Sequence, residues 1–156
     1  MENFKTFLES EEQRNVKSII SKLPKKHQQL LDGFKVVFEP NNTLKNDNDN
    51  IGYIFKKKIV VAAPWNYGRS MVTLHEIAHL VWEKLMTSQL KKEWKKLVSS
   101  TIEDQKKNIP SRSVNALDQD HEEIFCMSYA STYMKHPPVT YLNSKWQDFI
   151  TNKVPH

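Results

Sequence analysis

Ser70-Met71-Val72-Thr73-Leu74-His75-Glu76-Ile77-Ala78-His79-Leu80-Val81-Trp82-Glu83-Lys84-Leu85-Met86 is the stretch that decides how this chain reads. Its apolar residues Met71, Val72, Leu74, Ile77, Ala78, Leu80, Val81 and Leu85 fall nearly all round a 3.6-residue turn, which predicts a buried helix over 70–86 with Ser70 as its N-cap. Inside it stands His75-Glu76-Ile77-Ala78-His79, the HExxH pattern. Histidines at i and i+4 lie one turn apart on one helical face, so both imidazoles can bind a single zinc ion. Glu76 follows the first of them, where it can serve as general base toward a zinc-activated water. With six His and eleven Glu in 156 residues, chance placement yields the pattern roughly 0.02 times. Two imidazoles and a carboxylate left unsatisfied in a core would cost about 1–3 kcal/mol each. A bound zinc removes that cost.

The rest of the composition narrows the chemistry to the same place. At 38% apolar and 26% charged residues the chain is too apolar for intrinsic disorder, and it lacks the roughly 18 consecutive apolar residues of a membrane helix. Its length suits one domain over residues 1–156. Only three glycines are present, which argues against a sandwich or barrel of short strands with Gly-rich turns. A single cysteine, Cys126, excludes an internal disulfide and any Cys-rich zinc finger, so a metal must be held by His and carboxylate. Cys126 itself reads as a small buried residue. The N-terminus shows no charged segment followed by an apolar one, as a secretory signal would, and the expected location is the cytoplasm.

Working outward, residues 1–32 read as N-terminal helices. Phe4, Phe7, Leu8, Val16, Ile19 and Ile20 supply an apolar face ended by Pro24, and Lys25 to Asp32 forms a short helix capped by Gly33. Residues 33–64 read as a small sheet of about three strands, Phe34 to Glu39, Ile51 to Phe55 and Lys58 to Ala63, with the last two as a hairpin and the polar run Asn41 to Asn50 as a loop. Past the 70–86 helix, Gln89 to Asp104 is expected to bury Leu90, Trp94, Leu97, Val98 and Ile102. A loop through Pro110 and Ser111-Arg112-Ser113 leads to a helix over 120–135 stopped by Pro137-Pro138, and Leu142 to Asn152 forms the last helix. Strands grouped ahead of helices predict an α+β fold, mostly helical, instead of alternating βαβ units.

A catalytic zinc takes three protein ligands and keeps a position open. The third is expected at the start of the 120–135 helix, in Asp120-His121-Glu122-Glu123-Ile124-Phe125-Cys126-Met127-Ser128-Tyr129-Ala130. Glu123 is the first choice, because Cys126, Met127 and Ala130 place it on the apolar side; Glu122 and His121 are the alternatives. Whichever carboxylate is not a ligand would sit at a helix N-terminus, where the dipole favours it.

With Glu123 placed 44 positions after His79, the pattern resembles the glutamate zincins (gluzincins), whose third ligand lies on a later helix. Two groups come near: the lethal-factor-like and Pro-Pro endopeptidase-like enzymes, and the ImmA/IrrE-type metallopeptidases, whose Glu-x-x-Ala-x-x-Phe-Ala pattern is echoed by Glu123, Cys126, Tyr129 and Ala130. The resemblance spans roughly residues 58 to 135. It implies a zincin-like fold, one Zn²⁺ held by His75, His79 and Glu123, a peptide or protein substrate, and a bacterial or phage source. It also implies that the edge strand aligning an extended peptide would be Phe34 to Glu39 or Lys58 to Ala63. The chain departs from the lethal-factor-like pattern at Ser113-Val114-Asn115-Ala116, which lacks a Tyr for the oxyanion. Tyr129, Tyr133, Asn115, His121, Tyr67 and Arg69 are the possible donors. Met127 stands where the family carries an acid that orients a metal-binding histidine.

Runs such as Lys56-Lys57-Lys58, Lys91-Lys92, Lys95-Lys96 and Lys106-Lys107 contribute to a net charge of +5. No nucleic-acid-binding signature accompanies them, so they read as solvated faces and nucleic acid is not the favoured partner. The tryptophans read as packing residues. The expected activity is zinc-dependent peptide hydrolysis; the competing expectation is a zinc-stabilised binding or regulatory protein without turnover.

Overall fold

The computed structural model describes residues 4–38, 52–61, 68–137 and 139–156. Helices α1 (Phe4–Ser21) and α2 (Lys25–Gln29) precede strands β1 (Lys35–Phe38), β2 (Gly52–Phe55) and β3 (Lys58–Val61). Helices α3 (Arg69–Lys84), α4 (Ser88–Lys107), α5 (His121–Tyr133) and α6 (Ser144–Asn152) follow, with 3-10 turns at Ser111–Leu117 and Val139–Tyr141. This is the expected α+β arrangement of many helices and one three-stranded sheet. Among the described residues no helix is long and apolar enough to cross a membrane. Backbone contacts group the chain into two compact units, Met1–Ile77 and Ala78–His156, with the boundary inside α3.

In the first unit the strand order is β1-β3-β2, with β1 parallel and β2 antiparallel to β3. The expected hairpin is present over Gly52–Phe55 and Lys58–Val61; Ile51 and residues 62–63 lie outside the described residues. Its turn puts Lys56 at φ 54, a left-handed conformation that Asn or Gly usually takes. One expectation is overturned: Lys58 to Ala63 cannot be a free edge, because β3 is paired on both sides. Ile59, Val60 and Val61 are buried in succession, as a central strand covered on both faces requires. Among the described residues the edges are β1 and β2.

Val16 of α1 is buried and Ile19 and Ile20 are half-buried, lining a small cleft with Ser70, Thr73 and Leu74 of α3. The side chains of Phe4, Phe7 and Leu8 lie outside the described set. Helix α2 stops at Gln29, short of the expected Asp32, and Gly33 takes φ +80 in the turn beyond it. Helix α3 begins one residue before Ser70, with the Gly68 carbonyl accepting from Val72 N at 3.3 Å. Ser70 is therefore a helical residue and not the cap. Gly52 sets the spacing of strand and helix: a Cβ built on it would stand 2.5 Å from Val72 Cγ1 and 3.3 Å from Glu76 Oε1. No side chain fits there, so β2 runs close along the face of α3 that carries Glu76.

The second unit is a helical core built on Trp94. Its buried ring meets Phe125 of α5 at 5.4 Å, and Trp146 and Phe149 of α6 at 6.2 and 5.3 Å between centroids. The buried stripe of α4 is Trp94, Val98, Thr101 and Gln105. Leu90, Leu97 and Ile102, expected inside, are only half-buried. Thr101 and Gln105 replace them because each has buried partners: Trp146 Nε1 donates to Thr101 Oγ1 at 2.8 Å, and Gln105 Nε2 donates to Thr140 O at 2.8 Å. Asn143 Nδ2 donates to Gln105 Oε1 at 3.0 Å. Satisfied in this way, polar groups are retained in a core at little cost. Helix starts follow their caps. Thr87, Asp120 and Asn143 each accept a hydrogen bond from the first turn of α4, α5 and α6, which makes Asp120 and Asn143 flanking residues of helices expected to begin at or before them. Helix α5 ends at Tyr133, two residues early, where Met134 turns extended.

Candidate metal centre

The two histidines of the HExxH pattern stand one turn apart on one helix. His75 and His79 lie on α3 at intermediate exposure amid buried neighbours, and Glu76 is 8% exposed. Helix α5 presents its first turn to His79. Capping by Asp120, which accepts from Glu123 N at 2.8 Å, fixes where that helix begins. A second anchor is Trp94 Nε1, donating to His121 O at 2.8 Å.

Both glutamates of the expected pair reach His79, one on each ring nitrogen. Glu122 Oε1 lies 3.0 Å from Nδ1 and Glu123 Oε1 lies 3.2 Å from Nε2. A neutral imidazole carries one N–H, so it can donate to only one of these oxygens. The other nitrogen would then point a lone pair at a carboxylate. A second proton on the ring or a cation on Nε2 would satisfy both contacts. With Nδ1–H donating to Glu122, Nε2 is the nitrogen left to bind a cation, next to Glu123. Carboxylate–histidine pairing of this kind orients metal-bound imidazoles and fixes their tautomer.

Among the described residues, the group able to hold a metal ion is His75, His79 and Cys126, with one ligand atom from each all within 4.8 Å of one another. Glu123 is not in that trio, although it touches His79. The buried thiol corrects the expectation that a metal must be held by His and carboxylate alone, since one Cys without a spacing partner carries no metal signature in sequence. Imidazole nitrogen, thiolate sulfur and carboxylate oxygen are all donors that zinc accepts, so the residues present suit that metal. The chemistry of the set also suits neighbouring transition metals.

The other expected residues fall as follows. The ring of His121 turns toward α4, with Nε2 3.4 Å from Ser99 Oγ, and it is not in the trio. Tyr129 is fully buried, in an aromatic row with Phe125 and Tyr133 at 6.2 and 4.8 Å. Burial, and then the neighbouring Tyr133, push its phenol far above the ordinary range, and burial raises Tyr133 too. Asn115 is exposed on the 3-10 turn. Arg69 is buried, its guanidinium 4.9 Å from the Phe38 ring centroid. Tyr67 lies outside the described residues. Tyr141 is the aromatic residue the sequence missed. Its hydroxyl donates to Ala116 O at 2.8 Å, and burial together with the Glu123 charge holds its phenol up at about 12. It therefore stays protonated as a donor near Glu123.

No family model, curated protein or solved structure matches the chain.

Proposed function

We propose that the chain is a zinc-dependent metallopeptidase of the gluzincin type, with a zincin-like fold and one Zn²⁺ held by His75, His79 and Glu123. The observation that carries this reading is His79, flanked by Glu122 on Nδ1 and Glu123 on Nε2, on the helix that places His75 and the buried Glu76 in the HExxH order. Bound zinc would polarise a scissile carbonyl and lower the pKa of a water toward roughly 7. The remaining work falls to the chain. Glu76 would take the proton of the attacking water and return it to the leaving amine, and its carboxylate lies beside Gly52 of β2. Glu122 keeps His79 in one tautomer and orientation.

One observation favours a second reading. Cys126, with His75, His79 and Glu123, would supply four protein donors, the number found in closed structural zinc sites. In that case the metal stabilises a binding or regulatory protein and no turnover follows. Incubation of the metal-loaded protein with a peptide library, read by mass spectrometry, separates the two. Cleavage that stops on chelation and returns with zinc is the expected result, and a zinc-loaded protein that cleaves nothing would favour the structural site.

A further inference from the structure

A second cavity, of about 400 Å³, opens beside the α5 end of the metal centre, lined by Trp82, Lys91, Lys95, Asp120, His121 and Glu122. Its two carboxylates and two ammonium groups are not paired with one another. The Asp120 carboxylate caps α5 through Glu123 N at 2.8 Å, and the Glu122 carboxylate is held on His79 Nδ1 at 3.0 Å. Lys91 and Lys95 stand one turn apart on α4, and no carboxylate among the described residues lies within ion-pair distance of either. Lys91 Nζ is 5.4 Å from the centroid of the Trp82 ring, which steadies the ammonium over an aromatic face without neutralising it. The cavity therefore offers two lysines that no described carboxylate contacts, and an apolar wall, one side chain away from His79.

We propose that this cavity is a specificity pocket that receives a carboxylate of the substrate peptide, from an acidic side chain or a free C-terminus. The proposal rests on the peptidase reading and adds the substrate class to it. Lys91 and Lys95 supply the attraction, and Trp82 packs against the methylene or backbone part of the ligand. Asp120 and Glu122 on the same lining set an upper bound on ligand charge. A phosphodiester chain brings one anion after another against two acids, whereas a single carboxylate needs only the two lysines of the lining. This favours an acidic peptide over nucleic acid.

The test uses zinc-loaded full-length protein carrying Glu76→Gln, so that peptides bind without turnover. Three fluorescein-labelled hexapeptide mixtures of matched composition are titrated at low salt: one with a Glu and an amidated C-terminus, one with Gln and an amidated C-terminus, and one with Gln and a free C-terminus. A carboxylate-bearing mixture should bind about tenfold more tightly than the Gln amide, the effect of two exposed lysine pairings acting together. Preference for the Glu amide identifies the side chain, and preference for the free acid identifies the C-terminus; either supports the pocket. Adding Lys91→Glu and Lys95→Glu should abolish the preference, and adding Lys91→Met and Lys95→Met should bring the mixtures together without new charge. Equal binding of all three mixtures, a preference unchanged in the lysine variants, or no binding to any mixture would overturn the proposal. Cleavage by protein with Glu76 intact is scored separately, so a carboxylate preference without turnover would remove the peptidase and leave the pocket.

Discussion

Glu76→Gln leaves the metal bound and lowers peptide hydrolysis by about 10²–10⁴-fold, the usual contribution of a positioned general base. The exchange keeps the size and shape of the side chain. Glu76 is buried against Gly52, where little space is free, and an isosteric amide fits the same space, so the thermal midpoint should stay near that of the parent protein. What the amide cannot do is accept the proton of the attacking water. The measurement is kcat/KM on a cleaved peptide beside metal content and circular dichroism. Undiminished turnover would sink the assignment of Glu76. Under the structural-zinc reading the pattern differs: Glu76→Gln leaves partner binding untouched, while His75→Ala or His79→Ala unfolds the protein.

Trp94→Ala destabilises the protein by about 3–5 kcal/mol, the range for truncating a buried large aromatic residue. Three ring contacts, to Phe125, Trp146 and Phe149, vanish at once. The His121 carbonyl also loses its indole donor, which adds the cost of an unsatisfied acceptor, about 1–3 kcal/mol if water cannot reach it. Against a total stability of about 5–15 kcal/mol for a domain, this change alone brings the chain near unfolding. The same indole steadies the start of α5, where Glu122 and Glu123 follow His121 directly, so metal affinity should fall with stability. Urea denaturation checks the first effect and zinc titration the second. A loss below about 1 kcal/mol, smaller than deletion of a few buried methylenes, would contradict the role given to Trp94.

How far the sequence could be read depended on whether the signal was local. Helix α3 was legible because apolar residues at helical spacing and two histidines one turn apart need no long-range information. Its start was not, since Gly68 and Ser70 both suit a helix N-terminus and tertiary packing chose between them. The strands were legible as segments, but their order was not. Nothing in Lys58–Val61 says that both of its edges are paired, and Lys56-Lys57 lacks the Asn-Gly signal of a tight hairpin. On α4 the pattern led to Leu90, Leu97 and Ile102, because Thr101 and Gln105 look like solvent residues until Trp146, Thr140 and Asn143 are brought to them.

At the site, the sequence posed Glu122 and Glu123 as rivals for one role. Both reach His79, on different nitrogens, a distinction of side-chain direction that spacing cannot encode. Cys126 had no partner in sequence and acquires its neighbours His75 and His79 only through folding. Tyr141 lies beyond Pro137-Pro138, on a 3-10 turn that no periodicity announces.

The most direct test of the metal centre is elemental analysis of protein purified without chelators. About one equivalent of zinc per chain is expected, falling to below roughly a tenth of an equivalent when His79 is replaced by Ala. Parent protein that neither carries zinc nor takes it up on titration would contradict the account.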